Sequence, residues 1–231
     1  MNIVISGVTG GIGFAIAKKF ALNGDNLILL GRSISKLKKI SKSIKRDYKV
    51  GVQYYCCDVD DIETVSSAIE SIVNSASSID LLINSTGFFH IAPIIDTKNS
   101  VYDNCMDVNV RLPYLLSIGL FDCLKNEKGG KVINIGSSSS YVGFKNTVAY
   151  CTSKHAILGF SRALNDEWKE YGVTVHCISP GTVDTNMVNS LQQDKDTYIS
   201  VNEFAELVYD VSKYNGNMLI NEVQANRRFI K

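Results

Sequence analysis

The sequence contains few of the residues that interrupt a chain, cross-link it or bind metals. Three prolines among 231 residues, with no low-complexity stretch, give no sign of a boundary between domains. The six cysteines form no C-x-x-C pair, and a disulfide framework is not expected in a chain of this size. The three histidines, His90, His155 and His176, lie far apart and show no metal-ligand spacing. We therefore expect one domain over residues 1–231 and no metal site.

A strong charge of one sign and a long hydrophobic run are also missing. The 24 lysines and arginines nearly balance the 23 aspartates and glutamates, which excludes a general attraction to nucleic acid or anionic membranes. No apolar run approaches the roughly 20 residues that span a membrane. The first apolar run, Ile3–Ile5, is too short for a signal peptide. We therefore expect a cytoplasmic protein that binds neither nucleic acid nor membrane.

Seven short apolar runs alternate with longer amphipathic stretches. Continuous apolar runs bounded by Gly, Asn or Asp are typical of strands buried on both faces of a parallel sheet. The predicted strands are Ile3–Ile5, Leu27–Leu30, Val50–Cys56, Ile79–Ile83, Lys131–Ile135, Val173–Ile178 and Met218–Ile220, and the predicted helices lie near 11–23, 34–46, 61–76, 99–126, 149–171 and 202–213. The alternation predicts an α/β fold: a Rossmann-type, doubly wound, seven-stranded parallel sheet with helices on both faces.

The first predicted strand runs directly into a glycine-rich turn, residues 6–13 (SGVTGGIG), and then into an amphipathic helix. Glycines let a backbone turn tightly and approach a pyrophosphate. The start of the helix adds unpaired N–H groups and the positive end of its dipole. A glycine-rich turn alone is weak evidence, but a strand before it and a helix after it favour a dinucleotide site.

The end of the second strand bears on which dinucleotide is bound. A carboxylate there accepts from the ribose hydroxyls of NAD and repels a 2′-phosphate. This chain has Gly31, Arg32 and Ser33 instead, without an acid. Arg32 can pair with a phosphate and Ser33 can add a hydroxyl, which favours NADP(H) and leaves NAD(H) open. The alternative is that Arg32 only begins an exposed helix.

One tyrosine and lysine pair stands out from three Y-x-x-x-K matches. Tyr150 and Lys154 lie four apart at the start of a predicted helix, on one face. Ser137 comes thirteen residues before Tyr150, directly after an apolar strand whose carboxyl end opens into the ligand crevice. A tyrosine can protonate the alkoxide that hydride transfer forms, if an ammonium lowers its pKa from about 10. The other matches are Tyr141/Lys145, which spans a predicted loop, and Tyr209/Lys213, without partner groups nearby in sequence.

Together these motifs resemble the classical short-chain dehydrogenase/reductase family. The turn is similar to the family's T-G-x-x-x-G-x-G pattern, with Ser6 in place of Thr. Ser137, Tyr150 and Lys154 match the family's catalytic residues in order and separation, and Asn109 matches its helix asparagine. Four serines are consecutive from position 137, and the spacing favours Ser137 as the family's serine.

The resemblance implies a role for each of these catalytic residues. Ser137 would hydrogen-bond the substrate oxygen, and Tyr150 would donate a proton during reduction or accept one during oxidation. Lys154 would hold the nicotinamide ribose and lower the pKa of Tyr150. Asn109 would anchor a water that links Lys154 to bulk solvent.

The resemblance also implies cofactor contacts at several strand ends. Asp58 and Val59 match a pair whose carboxylate receives the adenine amino group, although Asp58 can instead cap the next helix. Residues 84–87 (NSTG) depart at two positions from the family's N-N-A-G, and residues 180–185 (PGTVDT) match its Pro-Gly segment. The expected cofactor residues are Ser6, Gly7, Thr9, Gly11, Ile12, Gly13, Arg32, Ser33, Asp58, Val59, Asn84, Ser85, Gly87, Tyr150, Lys154, Pro180, Gly181, Val183 and Thr185.

The predicted function is hydride transfer between NADP(H) and a carbonyl or alcohol of the ketone, aldehyde or 3-oxoacyl type. The alternative is an NADP(H)-binding regulatory protein of the same fold without turnover. The segment Asn186–Ser200 stands where the family places a substrate-covering loop. The candidate pocket walls are Phe88, Phe89, His90, Val142, Phe144 and Met187.

Two predicted helices carry more apolar surface than one sheet face needs, at residues 114–118 and 156–160. Family members commonly associate through the corresponding helices, so we expect a homodimer or homotetramer. The last residues, Asn221–Lys231, are more polar, and they are interpreted as an interface arm or a frayed tail.

Overall fold

A computed structural model describes residues 1–188 and 195–228 of the chain. The strands are β1 (Asn2–Ser6), β2 (Asn26–Gly31), β3 (Val52–Cys56), β4 (Leu81–Asn84), β5 (Lys131–Ile135), β6 (Thr174–Pro180) and β7 (Glu222–Ala225). The α-helices are α1 (Gly11–Leu22), α2 (Ile34–Tyr48), α3 (Ile62–Ser75), α4 (Asn99–Met106), α5 (Leu112–Gly119), α6 (Phe121–Leu124), α7 (Val148–Trp168) and α8 (Val201–Lys213). Among the helices of the described residues, none is both long and apolar enough to span a bilayer.

All seven strands pair in parallel, in the order β3-β2-β1-β4-β5-β6-β7. This confirms the predicted fold class. The strand order reverses between β1 and β4, and ligands bind at the carboxyl ends of strands beside such a reversal. The glycine-rich turn follows β1, so it lies at this point of the sheet.

The core lies on both faces of the sheet, which explains the continuous apolar strands. Ile3 and Ile5 of β1 pack into one cluster with residues of α1 and α8, whereas Val4 packs into the other with residues of α3 and α5. Each of the three side chains is fully buried. A strand covered on both faces has no need of polar alternation.

The seventh strand was predicted at the wrong place. The predicted strand, Met218–Ile220, is irregular, and Met218 is 68% exposed. The strand that pairs with β6 is β7, whose Ala225 carbonyl accepts from the amide of Gly181 at 2.8 Å. An edge strand is only partly covered, so polar residues such as Glu222 fit it and the apolar signal is weak. Part of the predicted arm or tail is therefore sheet, and Phe229–Lys231 lie outside the described residues.

The long helix predicted over 99–126 is divided into shorter segments. A π-helical segment, Asp107–Arg111, joins α4 to α5, and the amide of Leu112 donates to the carbonyl of Asp107, five residues back. Pro113 has no N–H to offer the carbonyl of Asn109, which interrupts the α-helical hydrogen bonds at this point. Short π segments inside helices often lie at functional sites.

Candidate active site

A cavity of about 570 Å³ opens where β1, β4, β5 and β6 end. The segments that follow β4, β5 and β6 form its walls, and Ile12 contributes from the start of α1. Because these strands are parallel, their carboxyl ends meet at one edge of the sheet, and residues far apart in sequence share the cavity.

Ser137, Tyr150 and Lys154 all line this cavity. Ser137 follows β5, and Tyr150 lies in the first turn of α7. Lys154 lies one turn further along α7, with its Nζ 5.8 Å from the centre of the Tyr150 ring. The structure therefore brings together the serine, tyrosine and lysine that the sequence singled out.

Burial dominates the titration of both ionisable groups. It raises the pKa of Tyr150 to about 12, although the hydrogen bond from Ser137 lowers it in part. It lowers the pKa of Lys154 to about 8. The direction at Tyr150 is therefore opposite to the one that the family resemblance implies. Lys154 does not offset the desolvation of Tyr150 in this arrangement, because the Lys154 ammonium is itself buried and donates to the Ile135 carbonyl.

Asn109 lies behind the cavity wall and is fully buried in the π-helical segment. Its Oδ1 accepts from the amide of Phe88 at 2.8 Å, and its Nδ2 donates to the Phe88 carbonyl and to Ser153 Oγ, both at 2.9 Å. Asn109 thus fixes the segment after β4 against α7. Its role in a water chain stays a prediction.

The glycine-rich turn packs tightly against the segment after β4. Gly7 has a φ of +72°, and a Cβ there would lie 2.6 Å from the Thr86 amide nitrogen. A Cβ on Gly13 would lie 2.5 Å from the Gly7 carbonyl oxygen. Helix α1 begins after Gly10 without a side-chain cap and without an acidic residue in its first turn. Its first N–H groups therefore point to a site that suits an anion such as phosphate.

The segment after β6 lies over the start of α1. A Cβ on Gly11 would be 2.9 Å from Cγ2 of Thr185, so this threonine closes one side of the cavity. The expected cofactor residues that line the cavity are Ile12, Ser85, Gly87, Tyr150, Lys154, Pro180, Gly181, Val183 and Thr185. The expected residues Ser6, Gly7, Thr9, Gly11 and Gly13 lie in the strand end, turn and helix start beside it.

The residues expected around the adenosine lie beyond the cavity, at the ends of β2 and β3. Arg32 is exposed, and Ser33 caps α2 by accepting from the amide of Lys36 at 3.4 Å. Asp58 accepts from the amide of Asp60, and the N-cap of α3 is Asp61. The capping alternative for Asp58 is therefore wrong. Contacts of Arg32, Ser33, Asp58 and Val59 with a cofactor stay predictions.

Asn84 faces the interior of the protein and not the cavity. Its Nδ2 donates to Oδ1 of Asn134 at 2.8 Å, and Asn134 donates in turn to Ser161 Oγ at 2.9 Å. This chain of hydrogen bonds ties β4 to β5 and to α7. The position of its side chain gives Asn84 a structural role, and a cofactor contact there stays a prediction.

Only some of the predicted pocket-wall residues line the cavity in the structure. Phe89, Phe144 and Met187 line the cavity, and Phe89 packs edge-on against the Tyr150 ring at 4.8 Å. Phe88 does not line the cavity; it is partly buried and packs against a small core cluster of Cys105, Ala149 and Tyr150. His90 and Val142 are not among the described lining residues. Of the predicted covering loop, residues 189–194 lie outside the described part of the chain.

Sequence reasoning missed several residues of the cavity wall: Ile91, Lys145, Thr147, Asn226 and Arg227. They lie in irregular segments, where neither periodicity nor a family motif marks them. The one sequence signal that included any of them was the Y-x-x-x-K match Tyr141/Lys145. In the structure, however, the Tyr141 hydroxyl donates to Glu222 at 2.9 Å. The remaining Y-x-x-x-K match, Tyr209/Lys213, has a structural explanation. Lys213 Nζ lies 5.1 Å from the Tyr209 ring centre and pairs with Asp25.

A doubly wound parallel sheet, a glycine-rich turn at its point of reversal and a Ser-Tyr-Lys group in the adjoining cavity define a class of dinucleotide-binding oxidoreductases. The model of the short chain dehydrogenase family matches residues 1–196, so the chain belongs to this family. The uncharacterized oxidoreductase YxjF of Bacillus subtilis strain 168 is 30% identical over 192 residues, which cover 83% of this chain and 74% of the relative.

Two solved structures show how closely the fold is shared. An alcohol dehydrogenase from the archaeon Thermococcus sibiricus, in complex with 5-hydroxy-NADP, superposes with a TM-score of 0.90 at 24% identity, covering 98% of this chain and 95% of that one. The second is a protein from Beutenbergia cavernae that is suggested to be an NAD(P)-dependent gluconate 5-dehydrogenase and holds NADP at low occupancy. It superposes with a TM-score of 0.85 at 25% identity, covering 97% of this chain and 94% of that one.

Proposed function

We propose that the protein transfers a hydride between NADP(H) and a carbonyl or alcohol substrate, with Tyr150 as the general acid and base. The observation that carries the proposal is that Ser137, Tyr150 and Lys154 line one cavity, with Tyr150 and Lys154 one turn apart on α7. Membership of the oxidoreductase family supports the reaction type.

The residues around the turn fit a phosphate-bearing dinucleotide. The uncapped start of α1 offers N–H groups, and the close packing of Gly7 and Gly13 leaves no side chain in front of them. Arg32 is an exposed cation at the end of β2, where it suits the 2′-phosphate of NADP better than the ribose hydroxyls of NAD. The NADP that the Beutenbergia cavernae protein holds supports this choice.

The bound cofactor supplies or accepts the hydride, and the protein handles the proton and the geometry. Ser137 donates a hydrogen bond to the carbonyl oxygen and so fixes it beside Tyr150. A Tyr150 pKa of about 12 keeps the phenol protonated at neutral pH, so it can give its proton to an alkoxide, which is a stronger base. Lys154, one turn further along α7, would hold the nicotinamide ribose of the cofactor.

Ketones, aldehydes and 3-oxoacyl compounds are the proposed substrates. The walls formed by Phe89, Phe144 and Met187 are apolar, which suits a substrate with an apolar body around the reacting carbonyl.

The first experiment follows the absorbance of NADPH, then NADH, with a panel of these carbonyl compounds. We expect NADPH oxidation, and we expect Tyr150→Phe to lower kcat by about 100-fold or more while NADPH still binds. Tyr209→Phe is the matched control, because Tyr209 belongs to another Y-x-x-x-K pair, on α8, and should leave kcat unchanged. NADPH binding without turnover of any compound, in wild type and Tyr150→Phe alike, would favour the regulatory alternative.

We further propose that the protein self-associates as a homodimer or homotetramer through α5 and α7. Tyr114 and Ile118 of α5 are 47% and 49% exposed, and the Tyr114 ring lies 6.1 Å from that of Phe160 on α7. An exposed apolar surface across two adjacent helices suits a self-complementary contact. Light scattering after size exclusion tests it, and Ile118→Glu should shift the mass toward that of one chain.

A further inference from the structure

The near balance of charge over the whole chain conceals an uneven distribution. Residues 32–49 contain eight lysines and arginines and one acidic residue, Asp47, so this segment has a net charge of +7. The other residues contain 16 basic and 22 acidic side chains, a net charge of −6. A protein surface usually intersperses charges of both signs, so a segment this basic calls for a physical explanation.

The basic segment consists of α2 and its two flanks, and its cations lie on one side of the helix. Leu37, Ser41 and Ile44 are buried and form the side of α2 that packs on the protein core. The opposite side carries exposed cations over a helix length of about 22 Å. We call this set the basic face, and its members are Lys36, Lys38, Lys39, Lys42, Lys45, Arg46 and Lys49.

Ion pairs neutralise little of the charge on the basic face. Arg46 pairs with its neighbour Asp47 at 2.7 Å. Within the described part of the chain, none of the six lysines of the basic face pairs with a carboxylate. Lysines three or four residues apart, such as Lys38, Lys42 and Lys45, repel one another and destabilise the helix. The basic face therefore costs stability in the isolated protein, and an anionic partner would relieve this repulsion.

The side chains of the basic face favour a diffuse anionic surface over nucleic acid. Six of its seven cations are lysines, which act as point charges on flexible stems, whereas Arg46 alone has the planar fork that suits phosphates and base edges. Tyr48 is the single aromatic residue in the sequence of α2, and it is half-buried against the core, so it suits base stacking poorly. Ile34, in the first turn of α2, is 52% exposed, and an exposed apolar side chain beside cations suits a lipid headgroup layer.

We infer that the basic face of α2 binds the surface of an anionic lipid bilayer. Clusters of about four to eight lysines and arginines on a helix are typical of sites for acidic phospholipids. The contact is mainly electrostatic, because the apolar side of α2 is occupied by the core. The inference departs from the expectation drawn from net charge, since a net value averages two oppositely charged parts of the chain. It goes beyond the proposed function and does not depend on it, because no residue of α2 is among the described lining of the cavity.

Sedimentation with lipid vesicles tests this inference on the full chain. The vesicles are phosphatidylcholine alone, or phosphatidylcholine with about 30% phosphatidylserine, at a salt concentration of about 0.1 M. We expect the wild type to bind the vesicles with phosphatidylserine and to leave them when the salt is raised to about 0.5 M. The α2 triple variant combines Lys38→Gln, Lys42→Gln and Lys45→Gln. Because each lysine near the surface contributes about fivefold, this variant should bind about 100-fold more weakly.

A matched variant removes the same charge elsewhere on the surface. Lys98→Gln, Lys128→Gln and Lys169→Gln, combined, act at exposed lysines outside α2 and should leave vesicle binding close to that of the wild type. The same three positions of α2 changed to arginine keep the charge and should keep the binding. The α2 triple variant should unfold at the same or a higher urea concentration than the wild type, because it relieves repulsion between like charges. Weaker vesicle binding would then not come from a loss of folding.

Three results would overturn the inference. The first is equal binding of the wild type to both kinds of vesicle, or unchanged binding in the α2 triple variant. The second is tighter binding of a short RNA duplex than of the anionic vesicles at the same salt concentration, which would assign the basic face to nucleic acid. The third is a weaker affinity for NADPH in the α2 triple variant with vesicle binding intact, which would assign the charge to capture of the cofactor.

Discussion

The Lys154 ammonium donates a hydrogen bond of 2.9 Å to the carbonyl oxygen of Ile135, the last residue of β5. The bond lies inside the protein and joins α7 to the strand that precedes Ser137. A buried cation with a backbone carbonyl as its acceptor is costly to hold in its charged form, and this cost affects stability.

The stability of the fold should therefore depend on pH through Lys154. Burial lowers its pKa from 10.5 to about 8, so between these values the unfolded chain binds a proton that the folded protein has lost. Stability then rises with pH in this window. We expect the free energy of unfolding of the wild type to rise, relative to Lys154→Met, by about 1.4 kcal/mol per pH unit above pH 8.

Urea unfolding at several pH values between about 8 and 10 measures this difference. Lys128→Met, at an exposed lysine, should follow the wild-type curve. Parallel curves for the wild type and Lys154→Met would show that Lys154 titrates alike in the folded and unfolded chains.

A side chain at Gly7 should destabilise the fold. Its φ of +72° disfavours any other residue, and a Cβ would lie 2.6 Å and 2.7 Å from backbone atoms of Thr86, which cannot move aside cheaply. Gly7→Ala should cost about 3 kcal/mol in the free energy of unfolding. Gly143→Ala is the control, because a Cβ there meets nothing within 4 Å and should change stability little. Equal urea midpoints for the two variants would contradict the expected clash.

Arg32 should decide the preference for NADPH. A charge-assisted hydrogen bond to a phosphate is worth about 1.5–3 kcal/mol, so Arg32→Gln should raise the Kd of NADPH by about tenfold or more. The Kd of NADH should change little, since it has no 2′-phosphate. Fluorescence titration measures both constants, and Arg46→Gln, near the other end of α2, is the control. An equal rise in the Kd of NADPH and of NADH would mean that Arg32 does not bind the 2′-phosphate.

The sequence predicted the features that depend on local pattern. Six of the seven strands were placed correctly, because strands such as β1 are buried on both faces and carry uninterrupted apolar residues. Tyr150 and Lys154 lie on one face of α7 because a helix repeats every 3.6 residues. The glycine-rich turn, together with the order and spacing of Asn109, Ser137, Tyr150 and Lys154, identified the family.

The predictions that were wrong concern features that depend on residues distant in sequence. The seventh strand was misplaced because its position is set by pairing with β6 and not by its own apolar residues. The π-helical segment at Asp107–Arg111 follows from one proline inside an otherwise helical pattern. Phe88 was expected in the pocket wall and packs in the core, since the direction of a loop side chain depends on what surrounds it.

The sequence by itself determined which chemical groups are available, their order along the chain and the fold that arranges them, because local periodicity and the turn glycines act over a few residues. Only the tertiary structure decided that Asn84 turns toward Asn134, and that Lys145 and Arg227 share one cavity. It also decided that burial raises the pKa of Tyr150 and lowers that of Lys154. Desolvation and long-range contact are sums over all the elements packed around a group, and no single segment contains them.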